Sequence, residues 1–188
     1  MSSQIDYVLR TVEERGIRFV QLWFTDVLGT PKAFSITPAE LETALEEGMT
    51  FDGSAVDGFS RVQEADVLAL PDPATFQILP LHESERVARI FCNIVNLDGS
   101  PFEGCPRQAL HRVLEAAHDR GYTFFVAPEL EYFYFDDLDP STPMRPLDAG
   151  GYFDLAMGDL PSELRRRSVL ALEEMGIPVE HAQHEDAP

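Results

Sequence analysis

The sequence predicts an α+β fold, and three observations carry that prediction. Two strand-like runs joined by a Gly/Pro turn (residues 17–36) form a hairpin. A well-marked helix start follows at Thr37, and further β-rich runs come after it. A hairpin, then a helix, then more strands describes a small domain in which one sheet wraps the helix. A second segment then opens at Pro106 with its own helices and strand-like runs.

Residues 4–15 place Ile5, Val8, Leu9 and Val12 at helical spacing, with Gly16 after the end. Ile17–Thr25 reads as a strand with Val20, Leu22 and Phe24 on one side, Asp26–Lys32 as a turn, and Ala33–Ile36 as the returning strand. Thr37, Pro38 and Glu40 predict a capping box and a helix running to Glu47, closed by Gly48. Phe51–Phe59 is too rich in Gly, Asp and Ser for a strand or helix and reads as a loop carrying Asp52 and Asp57. Arg61–Leu70 continues it with Glu64 and Asp66, up to a Pro-rich stop. Gln77–Leu79 and Val87–Val95 are expected strands of the same sheet.

The Gly/Pro/Asp cluster at Leu97–Pro106 is the expected boundary, giving domains 15–100 and 106–188. Pro106 opens a helix ending near Arg120, with Gly121 as its cap. Thr123–Phe135 has strand composition, Asp136–Gly151 is a long covering loop, and Gly151–Asp154 is a short strand or turn. Pro161–Met175 is a helix whose Arg165, Arg166 and Arg167 point around its axis and are expected to be solvated or salt-bridged. Ile177–Glu185 reads as a strand.

The formal net charge of -19, from 33 acidic and 14 basic residues, repels phosphate backbones and anionic membranes and favours cations. With 44% hydrophobic residues the chain folds rather than staying disordered. Cys92 and Cys105 have no C-x-x-C arrangement and read as reduced thiols. The N-terminus has no apolar run of signal-peptide length and no stretch approaches a membrane span, so the expected location is cytoplasmic.

Alternation along 123–135 places Glu129, Glu131, Phe133 and Phe135 on one face, with the two carboxylate-bearing Cα atoms roughly 6–7 Å apart. Like charges on a ring-lined surface shift their pKa, spread into water or hold a hard cation such as Mg²⁺ or Mn²⁺. The competing reading is an edge strand with two solvated glutamates. His181, Gln183, His184 and Glu185 form a second cluster of ligand-type residues without zinc-motif spacing, for which a polar strand end is the competing reading. Asp52 in its Gly-rich loop either forms a turn or carries function.

Phe24-Thr25-Asp26-Val27-Leu28-Gly29, Phe51-Asp52-Gly53-Ser54, Leu70-Pro71-Asp72-Pro73, Asp98-Gly99-Ser100-Pro101, Pro128-Glu129-Leu130-Glu131 and His184-Glu185-x-Ala187-Pro188 occur in one order. Together they resemble the bacterial type I glutamine synthetase family, over about the first two-fifths of a typical member. The resemblance implies an N-terminal β-grasp domain followed by the first part of a catalytic domain built on an antiparallel sheet with helices. It implies Glu131 and Glu185 as ligands of the metal that engages glutamate, Glu129 as a ligand of the metal at the ATP phosphates, and Glu180 as a nucleotide contact. Asp52 and Asp66 resemble the ammonium-binding pair, contributed across a subunit boundary, with Asp52 taking the proton. Two Mg²⁺ or Mn²⁺ ions, ATP, L-glutamate and ammonium are the implied ligands, and a double-ringed dodecamer the implied assembly. The remaining metal ligands and the arginines for glutamate and ATP are expected outside this sequence. Ala55 departs from the serine usual in the family, leaving a γ-glutamylamine ligase as the nearest alternative. A non-catalytic assembly module and a free-standing metal binder are the others.

Overall fold

Alternation along Phe19–Thr25 sends Val20, Leu22 and Phe24 to one side of a strand, and all three are buried there. That strand (β1) anchors the first of two units, Met1–Phe124 and Phe125–Pro188, into which the computed structural model divides. The structure describes residues 2–56, 66–80, 86–137, 139, 141–155 and 158–187. Asp57 and Glu64, both named above, lie outside the described residues.

In the first unit β1 is followed by β2 (Pro31–Ile36), β3 (Met49–Asp52), β4 (Asp66–Pro71), β5 (Gln77–Ile78) and β6 (Val87–Val95). The sheet order is β2-β1-β6-β4-β3, with β5 also on β6. β1 and β6 pair in parallel, Leu22 opposite Ile90, while every other pairing is antiparallel. Two helices, α1 (Ser2–Glu14) and α2 (Pro38–Glu47), supply the apolar residues of the same core. Val8 and Val12 of α1, and Leu41, Ala44 and Leu45 of α2, join Leu22, Ile36, Val67, Ala69, Ile90, Cys92 and Ile94. Fully burying a side chain such as Leu22 contributes about 1.5–3 kcal/mol. α2 ends at Gly48, whose φ of 80° is left-handed and where an added Cβ would come within 3.2 Å of the Ala69 carbonyl.

The turn between β1 and β2 is organised by Asp26, which is 1% exposed. Its Oδ1 accepts hydrogen bonds from the Leu28 and Thr30 N–H groups, both at 2.9 Å, and Lys32 Nζ lies 3.4 Å from Oδ2. A third helix, α3 (Pro106–His118), is fastened at its start: Arg107 donates to Asp72 at 2.6 Å and to Asn93 at 3.1 Å. Asp72 in turn accepts from the Ala74 N–H, capping the 3₁₀ turn at Pro73–Thr75.

Three local expectations are corrected here. Thr37 sits at the N-cap of α2 but makes no side-chain capping bond, so the capping box does not form; the Glu40 N–H bonds to the Thr37 carbonyl instead. Phe51 and Asp52 belong to a strand rather than a loop, and residues 66–71 form the strand beside them. The Gly and Asp that mark residues 51–59 as a loop act only after Asp52, where the 3₁₀ turn Gly53–Ala55 begins.

The second unit contains α4 (Leu160–Glu174), capped by Asp159, whose carboxylate accepts from the Ser162 N–H at 3.1 Å. Arg166 and Arg167 both pair with Glu163, the salt-bridged arrangement expected of them. The predicted strands at 123–135 and 177–185 are not observed. Among the described residues their one ladder-type contact is an isolated bridge from Phe135 to Pro146. Sequence alternation sets which way side chains point, but a strand also needs a continuous ladder for its N–H and C=O groups. Among the described residues these stretches have only single bonds, Leu147 N–H to the Tyr134 carbonyl and Phe153 N–H to the His184 carbonyl. Two-residue alternation nevertheless persists, since Tyr132 packs on Tyr134 at 5.2 Å and Phe133 on Phe135 at 6.0 Å. Phe125, Val126 and Leu130 remain exposed.

Candidate active site

The antiparallel register of β3 and β4 sets Asp52 directly opposite Asp66. Directly opposed residues have Cβ atoms about 4.5–5.5 Å apart, so two exposed carboxylates share one end of the sheet. Without a cation that juxtaposition is repulsive. Asp52 also caps the following 3₁₀ turn: its Oδ1 accepts from the Ser54 N–H at 2.9 Å and from the Ser54 hydroxyl at 2.5 Å. Those bonds, the hydroxyl's first, hold the Asp52 carboxyl below its ordinary 3.8. The arrangement can hold a small cation between two carboxylates, one of them kept firmly anionic.

The other four candidates lie in the second unit. Glu129, Glu131 and Glu180 are exposed, and Glu185 is partly buried. Among the described residues Glu129, Glu131 and Glu180 carry no hydrogen bond or ion pair, and no three His, Cys, Asp or Glu side chains stand close enough to share an ion. Glu185 Oε1 accepts from Gln183 Nε2 at 2.8 Å. The donor type fits a hard divalent cation: carboxylate oxygens that, among the described residues, form no ion pair with Lys or Arg, in a chain of charge -19.

The Glu185 side chain turns to Gln183, whereas the His184 ring turns to Asp148. Its Nε2 lies 2.9 Å from Asp148 Oδ1 and its Nδ1 lies 2.7 Å from the Glu185 carbonyl. Both contacts are acceptors, which suits an imidazolium, and the Asp148 bond together with the Glu185 carbonyl raises the His184 pKa. Asp148 is held below its ordinary value, first by the Gly150 N–H and then by His184. Asp148, Gly150, Asp154, Asp159, Leu155 and His184 line a cleft of about 310 Å³. Asp148 stands thirty-six positions before His184, and no local pattern links the two.

A mixed sheet carrying two helices, an acidic pair at one end of that sheet and a second unit bearing further carboxylates make this an α+β protein of two units. Family models agree along the chain: the glutamine synthetase β-grasp domain matches residues 16–105 and the glutamine synthetase catalytic domain residues 103–188. The chain belongs to the glutamine synthetase family. It is 52% identical to a glutamine synthetase of Mycolicibacterium smegmatis over all of this chain and 43% of the relative. It is 45% identical to one from Halobacterium salinarum, over 96% of this chain and 40% of the relative. The chain thus spans less than half the length of these curated relatives. Among solved structures, Plasmodium falciparum glutamine synthetase superposes with a TM-score of 0.78 at 19% identity, over 99% of this chain and 42% of that one, a likeness of fold. A structure described as apo GmaS without ligand gives 0.69 at 26% identity, over 95% of this chain and 42% of that one.

Proposed function

We propose that this chain is the N-terminal part of a glutamate–ammonia ligase. ATP transfers its γ-phosphoryl group to an oxygen of the glutamate γ-carboxylate, releasing ADP. Ammonia then attacks the carbonyl carbon of the γ-glutamyl phosphate, and inorganic phosphate leaves to give glutamine. The observation that carries this reading is identity of 52% to a glutamine synthetase along the whole of this chain.

Glu131 and Glu185 would hold a divalent ion at the glutamate carboxylate, and Glu129 a second at the ATP phosphates, with Glu180 touching the nucleotide. Mg²⁺ or Mn²⁺ bound there neutralises the phosphate and carboxylate charges that the reaction brings together. Asp52 and Asp66 capture ammonium as an electrostatic pair. The depressed pKa of Asp52 makes it a strong anion and a weak base. Asp52 still takes the proton that the captured ammonium must lose before its nitrogen can attack the carbonyl carbon. In this reading the pair serves a neighbouring subunit of a ringed homo-oligomer, a dodecamer, in the cytoplasm. Among the described residues no helix is long and apolar enough to cross a membrane. In relatives more than twice as long, further chain is available to pair with residues 123–135 and 177–185.

The test is product formation by the full-length protein with ATP, glutamate and either ammonium or methylamine. Glutamine from ammonium is the expected product. Turnover of methylamine alone would move the assignment to a γ-glutamylamine ligase, and no turnover with retained oligomerisation would leave an assembly module.

A further inference from the structure

His184 immediately precedes Glu185, and the loop from Asp148 to Asp154 grips it through both ring and backbone. Asp148 Oδ1 meets Nε2 at 2.9 Å while the same oxygen accepts from the Gly150 N–H at 2.8 Å. The His184 carbonyl accepts from the Phe153 N–H at 3.0 Å. Phe153 is the one described non-glycine residue with a left-handed backbone, φ 58°. Such a conformation persists only where its surroundings enforce it. Here the enforcing bonds are Asp154 N–H to the Gly151 carbonyl at 3.0 Å and Gly151 N–H to Asp154 Oδ2 at 2.8 Å. The fit leaves no slack: a Cβ on Gly150 would stand 2.8 Å from His184 Nε2. On its far side the ring reaches the Glu185 carbonyl at 2.7 Å, and Gln183 holds the Glu185 carboxylate at 2.8 Å.

We propose that the Asp148–Asp154 loop is a positioning clasp that fixes the direction of the Glu185 carboxylate through His184. The clasp rests on the reading of Glu185 as a cation ligand. A carboxylate aimed in advance loses less freedom when it binds, and partners one step removed from a ligand typically set affinity by 10–100-fold. The residues concerned touch neither substrate nor ion; they act through Glu185.

The experiment titrates Mn²⁺ alone into the full-length protein, by calorimetry and by electron paramagnetic resonance, without substrates. Glu185→Ala identifies which class of Mn²⁺ site depends on that carboxylate. Asp148→Ala, which removes the ring's acceptor, and Gly150→Ala, which displaces the ring, are expected to weaken that class about 10–100-fold. Asp148→Asn keeps an acceptor oxygen and should stay within about threefold of the parent protein. In the Glu185→Ala background, Asp148→Ala should have no further effect on Mn²⁺. Parent-like Mn²⁺ affinity in Asp148→Ala and Gly150→Ala would overturn the clasp, as would a loss seen only alongside a lost melting transition. If Glu185→Ala itself leaves every Mn²⁺ site unchanged, the ligand reading of Glu185 fails instead.

Discussion

Asp26 shows how one side chain decides a turn. Burial alone would push its carboxyl up, but the Thr30 and Leu28 N–H groups and then Lys32 outweigh that, and its pKa falls below the ordinary 3.8. A carboxyl whose folded pKa lies below its unfolded one stabilises the fold above the unfolded value and loses that contribution as pH falls through the folded one. Asp26→Asn should therefore melt lower than the parent at about pH 7, with the gap narrowing as pH falls below 3.8 and through the lowered folded value. Parallel melting curves across that range would contradict the assignment. The sequence marks this stretch as a turn through Gly29 and Pro31. It cannot show that the carboxylate faces inward, because that depends on where Lys32 and two N–H groups meet. The same limit applies to Asp52 and Asp66, which the sequence pairs only through the family resemblance and which the β3–β4 register sets opposite each other. Asp66→Asn in the full-length protein should relieve the repulsion across that register, leaving the melting temperature unchanged or higher. It should also raise the KM for ammonium at least about tenfold, if a second carboxylate contributes about 1.4 kcal/mol to holding the cation. A lowered melting temperature with an unaltered KM would make Asp66 structural.

Among the elements, β1 and β6 form the axis of the first unit, with alternate residues of β6 buried from Ala88 to Ile94. The inward face of β1 was readable because Val20, Leu22 and Phe24 alternate along it, whereas β6 was readable only as a strand. Truncating the buried Leu22 to Ala should cost about 2–5 kcal/mol, measured by urea unfolding of the chain, since the cavity opens in the middle of this pair. A loss under about 1 kcal/mol would mean the site collapses freely. Strands β3 and β4 were harder to read: Gly, Asp and Ser just beyond Asp52 masked a four-residue strand. At 123–135 the reverse holds. Composition and ring contacts both speak for an extended, alternating segment, yet strand status depends on partners that no local pattern specifies. Asp72–Arg107 and Asp148–His184 are illegible for a related reason, each joining residues more than thirty positions apart.

At the scale of the whole molecule the charge of -19 is unbalanced by any basic cluster of comparable size. Short ordered motifs were enough to identify the family, because each motif is local even where the sheet that assembles them is not. Carboxylates held for cations repel one another until the cations arrive, so ion binding should appear as folding stability. For a site bound only in the folded state, an ion at about one hundred times its Kd adds about 2.7 kcal/mol. Mn²⁺ at such excess should therefore raise the melting temperature of the full-length protein, whereas an equal ionic strength of NaCl should not reproduce the shift. Screening by salt acts on the whole surface, while a ligated ion acts through its ligands. Replacing Glu129, Glu131 and Glu185 together by Gln should abolish the Mn²⁺-specific part of the shift and leave the NaCl response intact. An undiminished Mn²⁺ shift in that triple variant would show that the acidic surface as a whole, rather than these three side chains, collects the ions.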